Sequence, residues 1–308
     1  LNQAIQKRHY FVRSFVLLGF SFLLANLLAT GNISLYLAPK LQPLSYVTLV
    51  ILVILAGASL RRAIVGEAEA DCECPGEHTL PTGFWRSLFI YGLFVLPLAM
   101  FFLMPEKVLD SSAAQKKGVT LLAANINKSA ATTSSETEAK QPAEQPVQKP
   151  IPLAQSDADI RKLFADGDFG DFYTDIAVSM YKQPVIKLDD QLFLDGLTTL
   201  ELYPQQFSGH KLETMGFVYL EQGFKGNQFV VARFSVSCCT ADANVFGILV
   251  ETPNKHTFTK DQWVKVRGEL EVRRVEETDM LVLKAEQIQP VKAPKDPYVY
   301  YSYMQGQQ

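Results

Sequence analysis

The chain has 308 residues, of which 48% are hydrophobic and 20% charged, with a formal net charge of −3. That length leaves room for two domains of ordinary size. So small a net charge, with no basic patch to neutralise phosphates, argues against nucleic-acid binding. Four cysteines are too few for a disulfide scaffold.

The composition is split along the chain. The first third is crowded with Leu, Phe, Val and Ile, and three apolar runs approach the roughly 20 residues that a membrane-crossing helix needs. They cover residues 14–30, 44–60 and 87–104. Pro97 lies inside the third and predicts a kink, tolerable in a membrane helix. A signal peptide is the rival reading of the first run, but no small-residue cleavage site follows it and a second apolar run comes soon after. Lys7, Arg8 and Arg13 precede the first run, only Lys40 lies in the first hairpin, and Arg61, Arg62 and Arg86 flank the second loop. The positive-inside rule then puts the N-terminus and the second loop in the cytoplasm. With three spans, everything after residue 106 faces outward.

The second loop reads EAEADCECPGEHT and brings Asp71, Cys72, Cys74, Glu77 and His78 close together in sequence. Thiolate and imidazole are donors that zinc and other borderline-soft ions prefer. Cys72, Cys74 and His78 are therefore a candidate metal cluster, the weaker of two in the chain. An acidic, solvated loop with incidental thiols is the plain alternative.

Residues 107–155 read as a linker, because the Ser, Thr, Glu, Gln, Lys and Pro of its later part cannot bury enough apolar surface to offset ordering entropy. A soluble domain is predicted over 156–308. Ser156 or Asp157 is placed to cap a helix carrying Ile160, Leu163 and Phe164 on one face. A second helix is expected over 172–181. The intervening DGDFGD, with Asp166, Asp168 and Asp171, has a calcium-like look but lacks the terminal bidentate Glu, so turn and cap duty fits better.

Beyond Phe207 the pattern becomes strands, at 211–221, 228–238, 243–251, 262–273 and 280–290. Five strands at this spacing, with Gly216, Gly247 and Gly268 placed for sharp bends, predict a small closed or partly open barrel. WVKVRGELEV followed by LVLKAEQIQPV resembles the later strands of an oligonucleotide/oligosaccharide-binding (OB) barrel. The expected fold is thus a membrane α-helical N-terminal bundle plus an α+β C-terminal domain with an OB-like β-barrel. Its aromatics alternate as buried residues do, which again speaks against reading single-stranded nucleic acid.

At the end of the second strand stand Cys238, Cys239 and Asp242. Adjacent strand residues point to opposite faces, so both thiols can meet one ion only if the chain leaves the strand, and Thr240-Ala241-Asp242 could supply the turn. These three residues are the main candidate metal site, with His210 or His256 as further donors. Buried packing of one thiol, a strained vicinal disulfide and thiol-redox chemistry are the rivals. The redox rival lacks the usual C-x-x-C spacing. There is no phosphate-cradling glycine loop, HExxH or GxSxG, and the four histidines are too scattered to form a triad, so no catalytic residue is assigned and the chain does not read as an enzyme.

Behind a short bundle of spans, the segments GFVYLE, ARFSVSCCTADANVFGILVE, WVKVRGELEV and DPYVYY resemble a bacterial permease-subunit family whose C-terminal region is a conserved domain of unknown function. The sharpest motif is Arg233–Asp242, with CC-x-A-D-A beginning at Cys238. The resemblance implies an accessory subunit in the bacterial plasma membrane, paired with a separate polytopic permease. Spans almost free of internal charge, which offer no ion path of their own, agree with that. Its outer domain would bind a ligand, zinc or another soft metal ion at the Cys238 site; no other cofactor is expected. The alternative is a membrane-anchored interaction or scaffold module with structural cysteines. The tail 297–301 is expected to pack as a final strand or to bind a partner.

Overall fold

The computed structural model describes residues 2–65, 84–103, 109–117, 119–121, 124–125, 156–164, 170–221, 223–275 and 278–302. They fall into two compact units, residues 1–107 and 108–308.

Among the described residues the first unit holds three α-helices, α1 (Asn2–Thr30), α2 (Gln42–Val65) and α3 (Phe84–Leu103). Each is long and apolar enough to cross a membrane, over Gln6–Thr30, Pro39–Val65 and Trp85–Leu103. α1 and α2 extend beyond the predicted runs. Charge at Lys7, Arg8, Arg61 and Arg62 ends the apolar window, yet these residues are good helix formers and do not end the backbone ladder. Gly31, with φ 75°, terminates α1 in the left-handed conformation that helix ends commonly use.

Small and polar residues line the helix contacts. Ser14 is buried and donates its hydroxyl to the Ala56 carbonyl oxygen at 3.0 Å, from α1 to α2. Gly19 lets Leu98 approach so closely that a Cβ would stand 3.1 Å from its Cδ1. Close backbones and interhelical hydrogen bonds are what hold helices together where the solvent is itself apolar. The outward faces carry Phe15, Phe89 and Leu103, all largely exposed, as lipid-facing residues must be.

The second unit is a mixed sheet with helices. Its elements are α4 (Ser111–Lys117), β1 (Val119–Leu121), β2 (Ala124–Asn125), α5 (Asp157–Lys162), α6 (Gly170–Tyr181), β3 (Ile186–Leu188), α7 (Phe193–Leu202) and α8 (Pro204–Phe207). Then follow β4 (Lys211–Tyr219), β5 (Gln228–Ser235), β6 (Asn244–Glu251), β7 (Trp263–Val275), β8 (Thr278–Pro290) and β9 (Tyr298–Val299). β4 pairs β5, β5 pairs β6 and β7 pairs both β8 and β4, all antiparallel, while β6 pairs β8 in parallel. The pairing path therefore returns to its starting strand. Val218, Phe229, Val231, Ile248, Val250, Val264, Val266, Leu281 and Leu283 from these five strands join one apolar core with Ile160, Met180, Leu197 and Leu200 from the helices and Phe164 from the turn after α5.

The five long strands lie within a few residues of their predicted bounds. β3, α7 and α8 were not expected, and three expectations are corrected. Residues 111–125 fall in the stretch read as linker, yet Ser111 donates its backbone N–H to Asp261 at 2.6 Å and β1 pairs in parallel with β6. Ser156 sits at the N-cap of α5, but its hydroxyl donates to the Asp159 carboxylate and caps no backbone N–H. The glycines of the strands have ordinary negative φ; they permit close approach of backbones instead of bends, except that Gly268 also sits at a register shift between β7 and β8.

Of the aspartates in DGDFGD, Asp166 and Asp168 lie outside the described residues, and Asp171 pairs with Arg161 at 3.0 Å. Residues 126–155 of the expected linker also lie outside them.

Where β5 begins and β6 ends, Glu251 is nearly buried and held by Arg273 through both guanidinium nitrogens, by Gln228 Nε2 at 2.6 Å and by Lys284 at 3.3 Å. The bonds from Arg273 first, over the opposing effect of burial, hold its carboxyl at about 2 against an ordinary 4.5. A carboxyl with a depressed folded pKa stabilises above its unfolded value and loses that contribution as pH falls toward the folded one. The stability difference between wild type and Glu251→Gln is therefore expected to be about 1–3 kcal/mol at neutral pH. Melting curves should show it constant above pH 4.5 and shrinking between 4.5 and 2.

Candidate functional site

β5 leads into the cysteine loop, and its last residues are where the sheet forks. β4 pairs β5 only from Tyr219↔Val230 to Phe217↔Ala232, after which β9 takes over the same edge at Phe234↔Tyr298 and Ser235↔Val299. Arg233 stands at the fork. It is 1% exposed, the largest of the fully buried side chains.

Its Nε donates to the Pro297 carbonyl oxygen at 3.2 Å and Nη1 to that of Met215 at 3.5 Å, so one guanidinium ties the β4 side to the β9 side. Nη1 also pairs with Asp190 at 2.8 Å, and the Phe193 and Trp263 rings lie 5.8 and 5.1 Å from the guanidinium carbon. Burial pulls its pKa down and the Asp190 charge counters that. Beside it, burial raises the Asp296 carboxyl, which accepts from Tyr298 N–H at 3.1 Å and from the Tyr300 hydroxyl at 3.2 Å. Burial, followed by the neighbouring Asp296 charge, pushes the Tyr300 phenol well above its ordinary range. This network fastens the C-terminal strand, with Asp195, also buried, accepting the Ser302 N–H at 2.9 Å.

The chain leaves the strand after Ser235, and residues 240–242 make a single 3-10 turn. Strand alternation therefore no longer separates Cys238 from Cys239, and their sulfurs stand 3.6 Å apart, Cys238 exposed and Cys239 half-buried. Asp242 closes the loop on itself. Its Oδ1 accepts from Ser237 N–H at 3.1 Å and its Oδ2 from Cys238 N–H at 2.7 Å, while its own N–H donates to the Cys239 carbonyl at 3.0 Å. Burial works to raise the Asp242 pKa, but the bonds from the Cys238 thiol and the three backbone N–H groups of Cys238, Ser237 and Cys239 outweigh it and lower it.

The thiol's bond to the Asp242 carboxylate, then its bond to Cys239, pushes Cys238 up to about 11. A nucleophilic or redox thiol needs the opposite shift. The loop is framed by two further strands, β9 on the last residues of β5 and β1 on the first residues of β6.

Cys238, Cys239 and Asp242 thus come together in one loop as their spacing suggests. The two histidines do not join them. His256 bonds the Gln228 carbonyl at 3.1 Å and packs on Phe229, at the far end of β5. His210 lies against Tyr181 and Phe207, where burial lowers its pKa. Cys72, Cys74 and His78 lie outside the described residues. Among the described residues no group of three or more His, Cys, Asp or Glu side chains is placed to hold a metal ion. Sequence reasoning missed Asp190, Asp195 and Asp296 around the fork; the Asp-Pro before YVYY was the one local sign that a turn there had polar work to do.

Comparison with known proteins covers both units. Residues 12–120 match the DUF1980 N-terminal domain and residues 164–301 the DUF1980 C-terminal domain. The chain is 28% identical over 305 residues to the UPF0703 protein YcgQ of Bacillus subtilis (strain 168), across 94% of this chain and 99% of that protein. It is 30% identical over 118 residues to a Streptococcus mutans serotype c protein named "Putative two-component membrane permease complex subunit", across 37% of this chain and 42% of that one.

Proposed function

The chain belongs to the DUF1980 family, and from that premise we propose that it is an accessory subunit of a bacterial membrane permease complex. Three apolar helices anchor it beside a separate polytopic permease, and its C-terminal unit stands on the outer side of the plasma membrane. Two observations support the reading. A relative carries the name of a permease complex subunit, and the three spans have almost no internal charge with which to conduct an ion themselves. The outward placement rests on the Lys and Arg bias around the first two loops. The return of the strand pairing from β4 through β5, β6, β8 and β7 to β4 supports an OB-like reading of the C-terminal unit.

The observation that carries a ligand-binding role is the thiol pair, 3.6 Å apart on a closed loop with Cys238 exposed and Cys239 half-buried, suited to a soft metal ion. The full chain, purified in mild detergent under reducing conditions with its native membrane partners, tests both parts. We expect a polytopic membrane protein to co-purify, with near one equivalent of zinc or copper per chain that disappears in Cys238→Ser/Cys239→Ser. A metal-free wild type overturns the ligand role; a chain that elutes alone overturns the subunit role.

One observation favours the second reading, an interaction or scaffold module with structural cysteines: the Asp242 carboxylate is already engaged by two backbone N–H groups. On that reading the double cysteine variant changes stability and leaves partner capture intact, with no metal in either protein.

A further inference from the structure

We infer that Cys238 and Cys239 form a two-sulfur half-site for a tetrahedral, zinc-class divalent ion, that Asp242 positions the loop without ligating, and that two coordination positions stay open. The inference rests on the ligand role proposed above and specifies its chemistry.

The argument is geometric. Two sulfurs each about 2.3 Å from a tetrahedral zinc stand roughly 3.8 Å apart, whereas a linear two-coordinate ion at a similar bond length needs about 4.6 Å. The observed 3.6 Å, a contact distance between two sulfurs, needs only a small opening to reach the tetrahedral edge and a much larger one to reach the linear span. The pair is therefore set to chelate one ion of that geometry from one side, as neighbouring residues on a continuous strand could not. Cys238 is exposed, so the ion has a way in.

Asp242 is the nearest oxygen donor, but both its carboxylate oxygens already accept backbone N–H groups, from Ser237 and Cys238. Those bonds close the turn that brings the thiols together. Each oxygen keeps a second lone pair, but rotating the carboxylate onto the ion would strain the bonds that close the turn. Its work is to hold the loop and to supply negative charge beside a bound cation. His210 and His256 are committed elsewhere in the fold. The set is thus two sulfurs with two positions left for water or for an exchanging ligand, as catalytic and transfer zinc sites keep open positions and structural ones do not.

The test uses cobalt(II), whose thiolate charge-transfer band counts sulfur ligands and whose visible d–d bands report geometry. It is titrated into the full chain in detergent, anaerobically, in a Cys72→Ser/Cys74→Ser background so that one thiol pair remains. We expect one cobalt per chain, a tetrahedral d–d envelope and a charge-transfer band that Cys238→Ser or Cys239→Ser each halves. Asp242→Asn, which keeps an oxygen acceptor for the loop, should leave the d–d envelope unchanged and weaken binding by about 10–100-fold, as loss of a supporting contact does. A full charge-transfer band in either single cysteine variant, or a d–d envelope altered by Asp242→Asn, overturns the half-site while the ligand role stands. No charge-transfer band at all overturns the half-site, and the ligand role falls with it only if the purified wild type also carries neither zinc nor copper.

Discussion

Replacing Arg233 with alanine is expected to destabilise the C-terminal unit by about 3–5 kcal/mol, the cost of emptying a large buried side chain's place and leaving backbone acceptors without a donor. The guanidinium is 1% exposed. Its loss strips the Pro297 carbonyl of a donor, and with it Met215 and Asp190. It also leaves a void between Phe193 and Trp263, whose rings it faces. Each unpaired buried acceptor costs about 1–3 kcal/mol, and the void adds lost contacts. Arg233→Lys should recover only part of this, because one ammonium cannot reach two carbonyls and a carboxylate in the planar fork that arginine presents. Asp190→Asn should cost less than either, since Asp190 is half-exposed and water can replace it. Chemical denaturation of the full chain followed by tryptophan fluorescence, in a Trp85→Phe background, reports on this site, because the guanidinium lies over the Trp263 ring at 5.1 Å. An Arg233→Ala variant as stable as wild type would mean that the fork closes without its pin.

Gly268→Ala is expected to cost about 3 kcal/mol, the upper end for inserting a methyl group into a packed site. A Cβ there would stand 2.0 Å from the Lys284 carbonyl oxygen and 2.7 Å from its carbon. Those are backbone atoms of the strand paired with it, so no rotamer change relieves the clash, and separating β7 from β8 breaks the ladder at its register shift. Gly57→Ala, on α2, serves as the control. Nothing lies within 4 Å of its Cβ position, and alanine is favoured over glycine in a helix by about 0.8–1 kcal/mol. Equal melting temperatures for Gly268→Ala and wild type would show that β8 gives way without loss.

How much of this was legible beforehand depends on the range of the interaction concerned. The three apolar helices were readable because hydrophobic length is a property of a contiguous segment. The five long strands were readable because β-branched and aromatic alternation, bounded by turn residues, repeats within each. The loop at Cys238 to Asp242 was readable for a local reason too. The Thr-Ala-Asp turn takes the thiols out of strand alternation, and the Asp242 bonds that close it reach back only to Ser237 and Cys238. By contrast, β1 and β3 are three residues each, too short for any period to register. Their strand character comes from β6 and β4, which supply the hydrogen-bond partners. The segment 111–121 looked like tether for the same reason: its stability lies in Asp261 and β6, more than a hundred residues away.

By itself, then, the sequence determined the apolar spans, the order of the main strands, the chain's family kinship and the loop in which the two thiols are neighbours, all through residues near one another in the chain. Tertiary structure alone decided the rest. It buried Arg233 as the pin of a sheet fork, sent His210 and His256 into aromatic clusters and set glycine at 268 against the Lys284 backbone. Each of these depends on which distant backbone passes within a few ångströms, and short-range pattern carries no information about that distance.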